Sequence, residues 1–236
     1  MIPLYDRAAR HRVTDTNTVL VVVNLLLFPL ALYSGHFAEV LERLGLVPQF
    51  IMHPLVAANR DGLLVFGTLL SSMFLHVGVI HVLLNMYVLM IFGPALEDYL
   101  GPRRYLLFYL LSGLFAGLVA AYLSPDSTTP IVGASGAIAG VLGAHLILFP
   151  RARLRTMLPL IVTVKFIDLP SIPYLILWFG LQLFGLVKSD LLGTHGPGVA
   201  WAPHVAGFMF GMMMGPLMAR AWASRPLPAR SAVERR

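Results

Sequence analysis

Pro130-Ile131-Val132-Gly133-Ala134-Ser135-Gly136-Ala137-Ile138-Ala139-Gly140 places one serine between small residues at the start of an apolar helix. Ser135 is the candidate nucleophile. Gly133 and Gly136 let the backbone turn tightly and approach a substrate closely. The helix that follows aims free N–H groups and its positive end at an oxyanion formed beside the hydroxyl. Small residues at this spacing are also common wherever membrane helices touch. The stretch alone therefore fits packing as well as catalysis, and the rest of the chain has to decide.

Composition narrows the class first. The chain has 236 residues, of which 58% are apolar and 12% charged, and a mean hydropathy of +0.79. That is too apolar for an ordinary soluble domain and reads as a polytopic membrane protein. The charges fall in short clusters between apolar runs, each able to cross a hydrocarbon core of roughly 30 Å. There is no cysteine, which excludes a disulfide framework, a thiolate nucleophile and a cysteine metal site. The formal charge of +6 lies beside the apolar runs and lacks a groove-reading motif. It reports membrane orientation, and no nucleic-acid partner is expected.

The expected organisation is a cytoplasmic N-terminal segment (1–15), a membrane domain (16–219) and a disordered basic cytoplasmic tail (220–236). The first apolar run, from about Thr16 to Tyr33, is read as a retained helix because no small-x-small cleavage site follows it. Residues 34–62 read as a partly embedded outer loop. From Gly62 to Gly93 there is no acidic or basic residue apart from His76 and His81. At about 1.5 Å rise per residue this run is too long for one upright span, so a break at Gly78 is expected, with the second span over 79–94. Gly93 to Pro102 reads as a turn, the third span ends near Leu123, and the fourth runs from Ser135 to about Phe149. Residues 156–172 read as an embedded loop. Spans five and six are placed at Pro173–Val187 and His204–Ala219. In span five, flanked by Pro173 and the glycine-rich loop Gly193 to Gly198, Trp178 and Phe179 mark either an entry gate or ordinary lipid-facing or core aromatics.

Six spans put both termini on one side, and the basic residues test this. Of the 17 Lys and Arg residues, all but Arg43, Arg60 and Lys188 fall on the side of the termini. By the positive-inside rule that side is the cytoplasm.

Polar groups at membrane depth are costly and mark function by default. Spans two, four and six run in the same direction, so His81, Asn85, Ser135 and His204 all lie near their outer ends and can share one site. His81 and Asn85 project from one helical face. Gly207, Gly211 and Gly215 give span six a smooth face against Gly136, Gly140 and Gly143 of span four, which brings His204 towards Ser135. A serine hydroxyl needs a base, supplied here by His204, and donors for the oxyanion, supplied by His81, Asn85 and the N–H groups beside Ser135. No carboxylate stands beside them in the spans, so a Ser-His dyad is expected. His145, roughly 15 Å deeper along the same helix, and Gln182 in span five are assigned to packing or a local hydrogen bond.

With these residues in view, the chain resembles the rhomboid family of intramembrane serine proteases from the first span to the last. Gly133-Ala134-Ser135-Gly136 resembles the family's nucleophile motif, and His204-Val205-Ala206-Gly207-Phe208 its histidine motif. His76, His81 and Asn85 stand at the spacing of its second-span His and Asn residues, and Gly93-Pro94-Ala95-Leu96-Glu97 with Gly101 resembles the turn after them. The resemblance implies an all-α bundle of six transmembrane helices with cytoplasmic termini, and a cavity opening to the outer side that holds the dyad. His76 would support the site, and no cofactor or metal is implied. The substrates implied are single-span membrane proteins met within the lipid bilayer, and the expected location is a bacterial inner membrane. Three features depart from the pattern: the first outer loop lacks a Trp-Arg pair, Ala139 stands where some members place an aromatic on the catalytic histidine, and Pro203 precedes that histidine.

Two rival readings are a non-proteolytic rhomboid-like protein that binds membrane helices and a small transporter. The first usually lacks the serine or the histidine, and the second lacks support from paired half-repeats or an intramembrane carboxylate. A zinc protease is disfavoured because no His-Glu-x-x-His sequence occurs.

Overall fold

The computed structural model describes residues 1–11, 13–53, 55–56, 62–159, 163–192 and 200–222. The glycine-rich loop at 193–198 and the tail beyond Trp222 lie outside the described residues. In chain order the elements are β1 (Ile2–Asp6), α1 (Asp15–Leu32), α2 (Phe37–Leu44), α3 (Pro48–Met52), α4 (Gly62–Ser71) followed by a 3-10 turn (Ser72–Phe74), α5 (Val79–Leu100), α6 (Pro102–Leu123), α7 (Ser135–Leu148), β2 (Arg153–Pro159), β3 (Val164–Pro170), α8 (Ser171–Leu191) and α9 (Trp201–Trp222). Helices α1, α5, α6 and α8 are long and apolar enough to cross a membrane. Helix α7 is apolar but short: its 14 residues span about 21 Å, less than a hydrocarbon core of about 30 Å.

Helix α7 is the centre of the bundle, with every residue from Gly136 to His145 buried. Its small side chains allow backbones to touch. A Cβ on Gly207 would run into the Gly136 carbonyl, one on Gly211 into the Gly140 carbonyl, and one on Gly143 into the Phe208 carbonyl. The glycine faces expected from the sequence therefore do meet, which fixes the register of α9 on α7 by backbone contact.

Several expectations are corrected. The expectation of an all-α protein gives way to a mostly helical one that also carries a three-stranded antiparallel sheet in the order β1-β2-β3. Residues 156–172, expected as an embedded loop, belong largely to its β2–β3 hairpin, in which Arg155 faces Asp168. Residues 2–6, expected to be a plain terminal segment, form β1 and pair with β2 from Ile2↔Met157 to Asp6↔Leu154. The alternation that buries Leu154 and Thr156 while leaving Arg153 exposed is the two-residue period of a strand.

The expected turn at Gly93–Pro102 is also corrected, because α5 continues through Gly93 and Pro94 to Leu100. The break is Gly101 alone, with φ 82°, followed by Pro102 at the first position of α6, the usual stop and start residues. Around Pro94 the helix is packed closely by its neighbours. Asn17 donates its amide to the Leu89 carbonyl, and a Cβ on Gly93 would run into Asn17 and the Tyr105 hydroxyl. Buried Glu97 accepts the backbone N–H groups of Thr16 and Asn17 at 2.9 and 2.7 Å. This carboxylate caps α1 at its positive end.

Candidate active site

Ser135 is the first residue of α7, and the segment before it is tied down on both sides. Ile131 and Leu46 exchange backbone hydrogen bonds of 2.8 and 3.1 Å, and the Gly133 N–H donates to the Ser72 carbonyl at 2.9 Å. Gly133 has φ 133°, a conformation that side chains disfavour. A Cβ there would lie 3.0 Å from His81 Nε2 and 3.5 Å from Ser135 Oγ. His81 and Ser135 thus face the same small space, and glycine keeps it open. A Cβ on Gly136 would lie 2.8 Å from that of Ala116 and 3.5 Å from that of Pro203, so this glycine lets the start of α7 sit against both α6 and α9. Pro203 occupies the first turn of α9, where a missing N–H costs no helical bond.

The first i to i+4 bond at this end of α7 runs from Ile138 N to the Ala134 carbonyl at 3.0 Å. The N–H groups of Ser135, Gly136 and Ala137 precede it, so the helix's positive end opens at the serine. Across from it, His204 Nε2 lies 2.7 Å from Ser135 Oγ. Ser135 and His204 are only partly exposed.

His81 reaches the space beside Ser135 from α5, and Asn85 on the same helix and His76 in the turn before it adjoin His81. Buried Asn85 donates one amide hydrogen to the His81 carbonyl at 3.1 Å, which leaves its second amide hydrogen for another acceptor. His76 packs edge-on to His81 with ring centroids 4.9 Å apart. Both His76 ring nitrogens and His81 Nδ1 are buried without a hydrogen-bond partner among the described residues.

Two residues assigned to packing or a local hydrogen bond also have distant partners. Gln182, expected to make a local bond, does donate Nε2 to the Trp178 carbonyl at 3.3 Å. It also places Oε1 2.8 Å from His204 Nδ1. An amide in the middle of an apolar span was the available signal, but span rotation decides which partner it meets. His145 is packed between Phe92 and Phe149 as expected, and its hydrogen bond is to a distant residue, with Nε2 2.5 Å from Asp6 Oδ2 of β1. Trp178 and Phe179 pack on α9, with Trp178 6.0 Å from the His204 ring and Phe179 stacked on Phe208 at 4.5 Å. The aromatic neighbour of His204 thus comes from α8, while Ala139 is fully buried. Among the described residues no three His, Asp or Glu side chains converge as metal ligands.

The apolar helices and this buried polar centre define a polytopic integral membrane protein of helical architecture. The Rhomboid domain model matches residues 65–221, and the chain belongs to the rhomboid family. It is 42% identical over 114 residues to RHOMBOID-like protein 6, mitochondrial, of Arabidopsis thaliana, covering 48% of this chain and 34% of that one. It is 41% identical over 78 residues to putative rhomboid protease YdcA of Bacillus subtilis, covering 33% of this chain and 39% of that one. Over 78 residues it is also 41% identical to rhomboid protease GluP of Bacillus subtilis, covering 33% of this chain and 15% of that one. The chain thus matches well under half the length of these relatives.

Proposed function

We propose that this protein is an intramembrane serine endopeptidase that hydrolyses peptide bonds in or near the transmembrane segments of single-span membrane proteins. The observation that carries the reading is the 2.7 Å contact between Ser135 Oγ and His204 Nε2, two residues on different helices that meet at the positive end of α7. Ser135 donates its proton to Nε2 as Oγ attacks the substrate carbonyl carbon. The oxyanion is held by the N–H groups of the first turn of α7, with Asn85 and His81 as side-chain donors. When the C–N bond breaks, His204 returns the proton to the leaving amine. Water then attacks the acyl-serine with His204 as base, releasing the second product and restoring the hydroxyl. The unpartnered nitrogens of His76 and His81 suit this work, since they can hold water or a polar backbone at a depth where lipid offers neither.

The membrane arrangement in this reading is six spans, formed by α1, α5, α6, α7, α8 and α9, with cytoplasmic termini. The site opens to the outer side of a bacterial inner membrane. Supporting it, the sheet collects Arg7, Arg153, Arg155 and Lys165 at one end of the bundle, as the positive-inside rule asks of a cytoplasmic face. The short α7 begins below the opposite face, so Ser135 lies at bilayer depth.

The test is to reconstitute the purified chain with a panel of single-span substrates and compare it with Ser135→Ala. Cleavage by the wild type, lost in the variant, with fluorophosphonate labelling of Ser135, is expected. Undiminished cleavage by Ser135→Ala would overturn the serine mechanism.

A further inference from the structure

Resting on the serine-histidine reading above, we propose that Gln182 is a positioning residue whose side-chain carbonyl selects the imidazole tautomer that frees His204 Nε2 to accept the Ser135 proton. A neutral imidazole has one nitrogen that donates and one that accepts. The contact with Ser135 does not choose between them, because a hydroxyl can donate or accept. Gln182 does choose. Its Nε2 lies 3.3 Å from the Trp178 carbonyl, which can only accept, and reversing the amide would set two oxygens against each other. Oε1 therefore faces His204 Nδ1 at 2.8 Å. An acceptor there requires the proton on Nδ1, which leaves the lone pair on Nε2 pointing at Ser135 Oγ.

A single helix thus prepares the base. Trp178 and Gln182 are one turn apart on α8, so they share a face; the first flanks the His204 ring at 6.0 Å and the second holds its far nitrogen. In soluble serine proteases a buried carboxylate holds the histidine in its tautomer. A neutral amide does the same without placing a charge at membrane depth. Once Nε2 has taken the serine proton, Oε1 still accepts from Nδ1–H and its dipole favours the charged ring. Because the described buried residues of α8 are Ser171, Leu175 and Gln182, the acceptor sits on a helix with a narrow hold on the bundle. The tautomer is therefore correct only while α8 is docked.

The experiment labels the full chain with nitrogen-15 histidine in detergent micelles, assigns His204 by its loss in His204→Ala, and reads which ring nitrogen carries the proton. Fluorophosphonate labelling rates and thermal stability are measured on the same samples. Wild type is expected to show Nδ1–H. Gln182→Leu is expected to lose that preference and to label about 10²-fold more slowly, with its melting temperature near wild type. Gln182→Glu, which keeps an acceptor oxygen, should restore both. If Gln182→Leu retains Nδ1–H and the wild-type labelling rate, the proposal is overturned. The tautomer is read without any substrate. Loss of Nδ1–H in Gln182→Leu, in a chain that cleaves nothing, would uphold the role of Gln182 and sink the protease reading. Cleavage by wild type with a tautomer indifferent to Gln182→Leu would do the reverse.

Discussion

Asp6 Oδ2 and His145 Nε2 stand 2.5 Å apart, and neither side chain is exposed to solvent. The pair joins the first strand to the end of α7 opposite Ser135. Asp6 also accepts the Ala8 N–H at 2.9 Å, and Arg7 continues the attachment through its backbone bond to Arg153 and its ion pair with Asp168. The sheet is thereby anchored to the helix that carries the serine, while the bond itself lies at the far end of that helix from the chemistry.

The first prediction separates anchoring from catalysis. Asp6→Ala or His145→Ala leaves a buried polar group unpaired, at a cost of about 1–3 kcal/mol if it is neutral and about 3–5 kcal/mol if it is charged. Each variant should melt clearly below wild type, yet cleave within a few-fold of the wild-type rate per folded molecule. Loss of activity with an unchanged melting temperature in His145→Ala would contradict the anchoring role.

For the dyad, Ser135→Ala and His204→Ala should each reduce cleavage by at least about 10³-fold, and the double variant should be no worse than either alone, because both remove the same step. Melting temperatures should stay near wild type. Multiplicative losses in the double variant would mean that the two residues act separately.

Asn85 tests the oxyanion assignment. Loss of one such donor typically costs about 10² to 10³ in kcat. Asn85→Ala should show that loss with KM little changed and stability preserved. An early-melting variant with an intact kcat would make Asn85 a structural hydrogen bonder to the His81 carbonyl instead.

Glycine substitutions should divide by contact. Gly211→Val drives a side chain into the Gly140 carbonyl and should cost about 1–3 kcal/mol or more, separating α9 from α7 and abolishing cleavage. Gly180→Ala on α8 meets nothing within 4 Å and should match or exceed wild-type stability, by about 0.4–1 kcal/mol. Equal effects from the two would show that backbone contact does not hold the dyad together.

Orientation is directly testable because the chain has no native cysteine. Thr128→Cys and Asp190→Cys, both exposed, should react with an impermeant thiol reagent added to intact cells, and Arg153→Cys, equally exposed, should not. The opposite pattern would invert the proposed topology.

The sequence alone determined the membrane character and the approximate positions of the helices it read as spans, since hydropathy and chain length bear directly on what can cross a bilayer, but it read as a loop the stretch that holds α2 and α3. It also marked Ser135 and His204 as partners, because glycines repeating every four residues predict a backbone contact whose register sets the two opposite each other. Where it misread, the deciding partner lay far away in the chain. Gly93-Pro94 is a turn signal locally, but Asn17 and Tyr105 pack tightly against Gly93, and α5 runs on to Leu100. The alternation around Leu154 is that of a strand, yet it becomes one only when β1 and β3 lie beside it to pair its backbone. Gln182 and His145 have ordinary local bonds open to them. Which partner each takes depends on how its helix is rotated and tilted against its neighbours, and local periodicity does not specify those angles. They are fixed when α8 docks on α9 and the sheet closes under α7. Tertiary structure alone therefore decided that Gln182 meets His204 and that Asp6 meets His145.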